Sequence, residues 1–109
     1  MLNSREKALY HRTAAIVKAV AHPLRLAIVD YLKDGEKCVQ AVADHIGSER
    51  SNVSRHLAVM LRAGTVQCRK DGLMVYYSLR SPCVVNFMRC ATQLLMRTTA
   101  EETRLLSRS

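Results

Sequence analysis

At 109 residues the chain has room for one domain and a modest core. Its 49% hydrophobic and 24% charged residues exclude a disordered polymer, and no apolar run approaches the ~20 residues that span a bilayer. Seventeen Lys and Arg against nine Asp and Glu leave a charge of +8 and a pI near 9.8, which points to a polyanionic partner.

Residues Met1–Thr13 are polar and charged, unlike a secretory signal, so a cytoplasmic protein is expected. In a reducing compartment Cys38, Cys68, Cys83 and Cys90 stay free thiols. No CxxC pair supports a zinc knuckle or ribbon.

In chain order, Ala8, Leu9, Ala15, Ile16, Ala19 and Val20 recur at helical spacing, which predicts a helix over Ser4–Val20. Pro23 suits the first turn of a second helix, expected over Pro23–Lys33. Leu24, Ala27, Ile28, Tyr31 and Leu32 form its stripe, and Gly35 is its expected left-handed cap. A short third helix is expected over Cys38–Ile46, with Val39, Val42, Ala43 and Ile46 apolar and Gly47 as the stop. A fourth is expected over Asn52–Ala63, capped by Ser48 or Ser51, with Val53, Leu57, Met60 and Leu61 inward and Gly64 as the stop.

The period then changes to two. Val66–Lys70 and Met74–Leu79 flank Asp71-Gly72, a strong hairpin signal. Beyond Ser81-Pro82 a long helix is expected over Val84–Leu106, with Val84, Val85, Met88, Ala91, Leu94, Leu95 and Leu105 apolar. The expected architecture is α-α-α-α-β-β-α: one mainly helical domain over residues 1–109 with a late β-hairpin. Met60, Met88 and Met96 are expected in the core or a dimer interface, and Cys68 as a structural residue of a hairpin strand.

Two short helices joined by Gly47-Ser48-Glu49-Arg50 read as a helix-turn-helix. Its second helix would present Arg50, Ser51, Asn52, Ser54, Arg55 and His56 to the major groove of double-stranded DNA. Asn can pair with adenine, Arg with guanine, and Ser or His with bases or phosphates. The hairpin that follows is then a wing, with Arg69 and Lys70 placed to reach phosphates or the minor groove. The whole is a winged helix-turn-helix.

Three segments resemble the ArsR/SmtB family of bacterial repressors. Ala21-His22-Pro23-Leu24-Arg25-Leu26-Ala27-Ile28 looks like its "HPLRLxIL" opening, and Val53-Ser54-Arg55-His56-Leu57-Ala58-Val59-Met60 like its "S-x-H-L-x-x-L" recognition helix. Lys70-Asp71-Gly72 through Tyr77-Ser78-Leu79 is similar to its wing. The resemblance runs from about Ile16 to Leu95. It implies a homodimer joined through the first and last helices, an imperfect inverted repeat as binding site, and an inducer that releases the DNA.

The family's inducer sites match in part. The last helix has no His or Asp for the zinc site found there. Cys38 stands at the first position of the family's Cys-x-Cys site for arsenite, antimonite or soft metals, but Gln40 replaces the second cysteine. Cys83 and Cys90, seven apart on the last helix and so ~10 Å apart along its axis, would have to join Cys38 through folding, within or between subunits. No cofactor is required.

A thiol-directed inducer at Cys38, Cys83 and Cys90 is therefore expected, with a persulfide or redox switch on the same fold as the alternative. Each thiol is equally compatible with a small packed residue. A winged helix used only for protein interaction is a different class, opposed by Arg50, Arg55, Arg62, Arg69 and Lys70. Nothing in the sequence supports catalysis.

Overall fold

The computed structural model describes residues 1–107, so the last two residues of the domain expected over 1–109 lie outside the described residues. The elements are α1 (Ser4–Val20), α2 (Pro23–Leu32), β1 (Lys37–Cys38), α3 (Val39–Ile46), α4 (Arg50–Ala63), β2 (Val66–Asp71), β3 (Met74–Leu79) and α5 (Cys83–Ser107).

Local chemistry accounts for the helix ends. The Asn3 side chain accepts from Glu6 N–H at 2.8 Å, and the Glu6 carboxylate accepts from Asn3 N–H at 3.2 Å, a reciprocal capping box for α1. His22 caps α2 with ring Nδ1, which accepts from Leu24 N–H at 3.1 Å, and Pro23 follows at the first helical position. Gly47 and Gly64 end α3 and α4 at φ 75° and 84°. Beyond them Ser48 N–H returns to Ala43 O at 3.2 Å and Thr65 N–H to Met60 O at 3.0 Å, which satisfies carbonyls the helices would leave orphaned.

The core joins Ile28, Val29 and Leu32 of α2, Val39, Val42 and Ala43 of α3, and Val53, Leu57 and Met60 of α4, with Val20, Val66 and Val85. The only buried polar residue among those described, Thr65, is satisfied: its hydroxyl donates to Met60 O at 3.0 Å.

Several boundaries differ from expectation. α2 ends at Leu32 with Lys33 as its cap, while Gly35 (φ 137°) lies two residues further on and bonds back to Leu32 O. Cys38 does not begin a helix. It belongs to a two-residue strand paired through Lys37↔Tyr77 and Cys38↔Tyr76, so the antiparallel sheet has the order β1-β3-β2. The chain order is therefore α-α-β-α-α-β-β-α.

α4 begins at Arg50, capped by Glu49 rather than Ser48 or Ser51, which brings Arg50 and Ser51 into its first turn. The hairpin register runs from Val66↔Leu79 to Asp71↔Met74, so Asp71 is a strand residue and Gly72-Leu73 is the loop. Gly72 has φ 61° and Leu73 a negative φ, the pattern of a type II′ turn with glycine first. Leu61, expected inward, is exposed because the buried line of α4 runs through Val53, Leu57 and Met60.

α1 packs on α2 and α4, and α5 on α2. Only Ala19 and Val20 of α1 and Val85 of α5 are buried. Leu9, Ile16, Val17, Phe87, Leu94 and Leu95 are exposed, and Val17, Val20, Phe87 and Leu95 help line an apolar groove of about 350 Å³ between the two helices. Met60 is buried and Met88 half-buried, but Met96 is exposed and takes no part in this chain's core.

Candidate nucleic-acid interface

α3, its Gly47 turn and α4 form the helix-turn-helix. The turn is tied to the second helix by Asn52, whose side-chain Nδ2–H donates to Ser48 Oγ at 2.9 Å. Beneath α4 its apolar face is closed, with Val53, Leu57 and Met60 at 1%, 0% and 0% exposure. That anchoring leaves the polar side of the first two turns outward. Arg50, Ser51 and Arg55 are exposed, and Asn52, Ser54 and His56 are half-buried. The helix N-terminus adds unsatisfied N–H groups and a partial positive charge, which suits a phosphate-bearing partner.

His56 is held more firmly than the sequence suggests. Arg25 Nε–H of α2 donates to His56 Nδ1 at 3.1 Å, and Arg25 Nη1–H donates to Ala19 O in the last turn of α1 at 3.4 Å. The His22 ring lies 4.5 Å from the His56 ring, tilted by 47°. Burial, reinforced by the charges of His22, Arg25 and Arg55, pushes the His56 imidazole below its ordinary pKa. Arg25 and His22 are site residues that the reading of the sequence did not assign, although both lie in the Ala21–Ile28 motif.

The wing places its two basic residues differently. On β2, Arg69 faces Tyr76 and Lys70 faces Val75 across the strands, so their side chains leave opposite faces of the hairpin. Arg69 is engaged within the chain. Its Nε–H donates to Glu36 Oε2 at 2.9 Å, its guanidinium sits 4.7 Å over the Tyr76 ring, and Asp71 lies 3.7 Å away. The hydrogen bond from Arg69 holds the Glu36 carboxyl below the usual carboxylate range. Lys70 is exposed and has no ion-pair partner among the described residues. At the tip, Leu73 is fully exposed.

The thiols are dispersed. Cys38 is half-buried at the end of β1, just before α3, and Cys68, Cys83 and Cys90 are exposed. Cys68, expected as a structural residue, is not packed: it faces Tyr77 from the outer strand. Among the described residues no group of three His, Cys, Asp or Glu side chains could hold a metal ion. A three-coordinate site for arsenite, antimonite or a soft metal built from Cys38, Cys83 and Cys90 therefore does not fit within one chain.

A closed helix-turn-helix with its basic end outward, followed by a hairpin, defines a winged helix-turn-helix DNA-binding domain. Residues 22–67 match the model of the family described as "Bacterial regulatory protein, arsR family". The chain is 32% identical over 99 residues to the uncharacterized HTH-type transcriptional regulator Rv0081 of Mycobacterium tuberculosis strain H37Rv, covering 90% of this chain and 87% of the relative. It superposes on the crystal structure of that protein with a TM-score of 0.76, over 87% of this chain and 96% of the other. The solution structure of the homodimeric winged helix-turn-helix domain of Mb0332 from Mycobacterium bovis matches with a TM-score of 0.77 at 29% identity, over 93% of both chains.

The chain belongs to the arsR family of bacterial regulatory proteins. The relatives are regulators of transcription, not enzymes. No helix among the described residues is long and apolar enough to cross a membrane.

Proposed function

We propose that residues 1–109 form one DNA-binding and dimerisation domain of a cytoplasmic repressor, which binds an inverted repeat in double-stranded DNA and is released by a thiol-directed inducer. The observation that carries the DNA reading is the exposed basic end of α4, Arg50, Ser51 and Arg55, set over a fully buried Val53-Leu57-Met60 face. Asn52, Ser54 and His56 complete the reading surface, and Lys70 is the wing's available phosphate contact, with Arg69 available once Glu36 releases it. Titration of the protein's own upstream DNA against a scrambled duplex tests this by fluorescence anisotropy. The upstream duplex should bind on the order of 10³-fold tighter or more, with affinity falling steeply with salt. Equal affinity for both would leave a protein-interaction module as the better reading.

Dimerisation is supported by the apolar faces that α1 and α5 leave open and by the homodimeric state of the Mb0332 domain. A two-fold dimer places two α4 helices on successive major grooves, as an inverted repeat requires.

For the inducer, the support is the exposure of Cys83 and Cys90 and kinship with a "Probable mercury resistance operon repressor" of Streptomyces lividans, 32% identical over 79 residues. That kinship covers 72% of this chain and 63% of the relative. Cys38 with Cys83 or Cys90 from the other subunit is the combination that a soft ion or a persulfide donor would address. Cys→Ser variants, bound to DNA and titrated with arsenite, cadmium and a persulfide donor, check this. Wild type should be released and Cys38→Ser should resist; identical release of both would remove Cys38 from the sensor.

A further inference from the structure

We propose that Arg25 is a positioning residue for DNA recognition: it fixes His56 of α4 as an Nε2–H donor for a hydrogen-bond acceptor on the DNA. The proposal rests on the reading of α4 as the recognition helix and adds a residue outside that helix to it.

The geometry decides the tautomer. A guanidinium has donors only and does not lose its proton in proteins. Arg25 Nε–H is directed at His56 Nδ1 at 3.1 Å, so Nδ1 must be the bare, accepting nitrogen. A neutral imidazole that accepts at Nδ1 carries its proton on Nε2, at the far edge of the ring. The second Arg25 bond, to Ala19 O of α1, anchors the guanidinium from behind. His56 thus stands on a helix whose core face is closed, with its ring nitrogen tied to a residue of α2 that is itself bonded to α1.

The surroundings keep the ring neutral. The titratable and charged groups acting on it are His22, the cap of α2, Arg25 of α2 and Arg55 of α4, all bases. His22 is itself fixed, with Nδ1 accepting from Leu24 N–H. A second proton on His56 would have to occupy Nδ1, where it would meet the Arg25 N–H head on. The ring therefore carries one fixed donor, at Nε2, and no free acceptor. Such a group accepts a phosphate oxygen, purine N7, guanine O6 or thymine O4 as partner, and rejects the amino edges of cytosine and adenine.

The test uses the full chain as wild type, Arg25→Ala, Arg25→Lys, His56→Ala and the Arg25→Ala/His56→Ala double variant. Nitrogen NMR of the imidazole in the free protein reads the tautomer, and anisotropy reads the ratio of operator to scrambled-DNA affinity. Wild type should show a single Nε2–H tautomer. In Arg25→Ala the tautomers should mix and His56 should titrate closer to the ordinary ~6.5. The affinity ratio should fall about 5- to 10-fold in Arg25→Ala and in His56→Ala, and no further in the double variant. Arg25→Lys, which keeps the charge and a donor, should retain the fold and an intermediate ratio.

An Nδ1–H tautomer in wild type, or losses that add in the double variant, would overturn the proposal. The same follows if Arg25→Lys and Arg25→Ala both leave the ratio unchanged while His56→Ala lowers it. Absence of any operator preference in wild type would instead remove the recognition-helix reading, and this proposal with it.

Discussion

Leu57 and Leu95 sit on long helices of the same chain, yet Leu57 is 0% exposed and Leu95 66%. The difference separates two regions. α2, α3 and α4 close their apolar faces on one another and on Val66 and Val85 within one chain. α1 and α5 lean on that body through Ala19, Val20 and Val85 and leave Ile16, Val17, Phe87, Leu94 and Leu95 in contact with solvent. Stability of the reading head is thus local, whereas the outer helices have apolar surface that pays off only against another surface.

Truncating one side chain from each region separates the two. Leu57→Ala removes a fully enclosed side chain and should destabilise the chain by about 2–5 kcal/mol in urea unfolding. Leu95→Ala should change unfolding of the isolated chain far less. Leu95→Asp should instead shift the mass in sedimentation equilibrium from dimer toward monomer. A Leu95→Asp protein that remains fully dimeric would show that α5 is not the interface.

Arg55 and Lys70 divide the reading head itself. Arg55 lies on the rigid helix, and Arg55→Ala should cost about 1–3 kcal/mol at the operator and much less on scrambled DNA. Lys70 lies on the exposed hairpin, and Lys70→Ala should weaken both duplexes alike and reduce the salt slope by roughly one. Equal losses on both duplexes for Arg55→Ala would mean that it contacts phosphate only.

The closed region is also the region the sequence revealed best. Val53, Leu57 and Met60 repeat at the spacing of one helical face, and Gly47 and Gly64 mark real helix ends. The wing was legible from its period of two, although its loop is Gly72-Leu73 and not Asp71-Gly72, because a one-residue shift leaves the composition of the segment unchanged. β1 was not legible: two residues carry no period, and their pairing partners, Tyr76 and Tyr77, are some forty residues away. The Arg25–His56 bond was hidden for the same reason, since its partners are 31 residues apart and meet only when α2 packs on α4. The thiols were legible only as positions: Cys38 stands in a family pattern, and whether Cys83 or Cys90 meets it depends on packing that a pattern along the chain does not encode.

A smaller effect comes from the His56 proton. Its folded-state pKa lies below its unfolded value, so below ~6.5 the unfolded chain takes up a proton that the folded chain resists. Folding stability should therefore fall as the pH drops from ~6.5 through the His56 value in the folded state, and level off above ~6.5. Thermal melts of wild type and His56→Gln across pH 5 to 8 would isolate this, because the variant should lose that part of the slope. Parallel curves for the two proteins would mean that His56 does not titrate differently on folding.

The smallest expected effect on stability belongs to Glu36, and its value lies in what it does to the wing. Glu36 and Arg69 are both largely exposed, so the pair is screened by water and salt and Glu36→Gln should leave the melting temperature nearly unchanged. The pair does, however, decide where Arg69 points, because the carboxylate takes two guanidinium nitrogens that a phosphate would otherwise take. Removing that carboxylate leaves Arg69 over the Tyr76 ring with Asp71 as its remaining, longer-range anion. Non-specific DNA affinity should rise and the salt slope should steepen by roughly one, the signature of one more phosphate neutralised per chain. Combining Glu36→Gln with Arg69→Ala should cancel the steepening. If Glu36→Gln leaves the slope unchanged, Arg69 holds the hairpin in shape rather than touching DNA, and Lys70 alone is the wing's cationic contact.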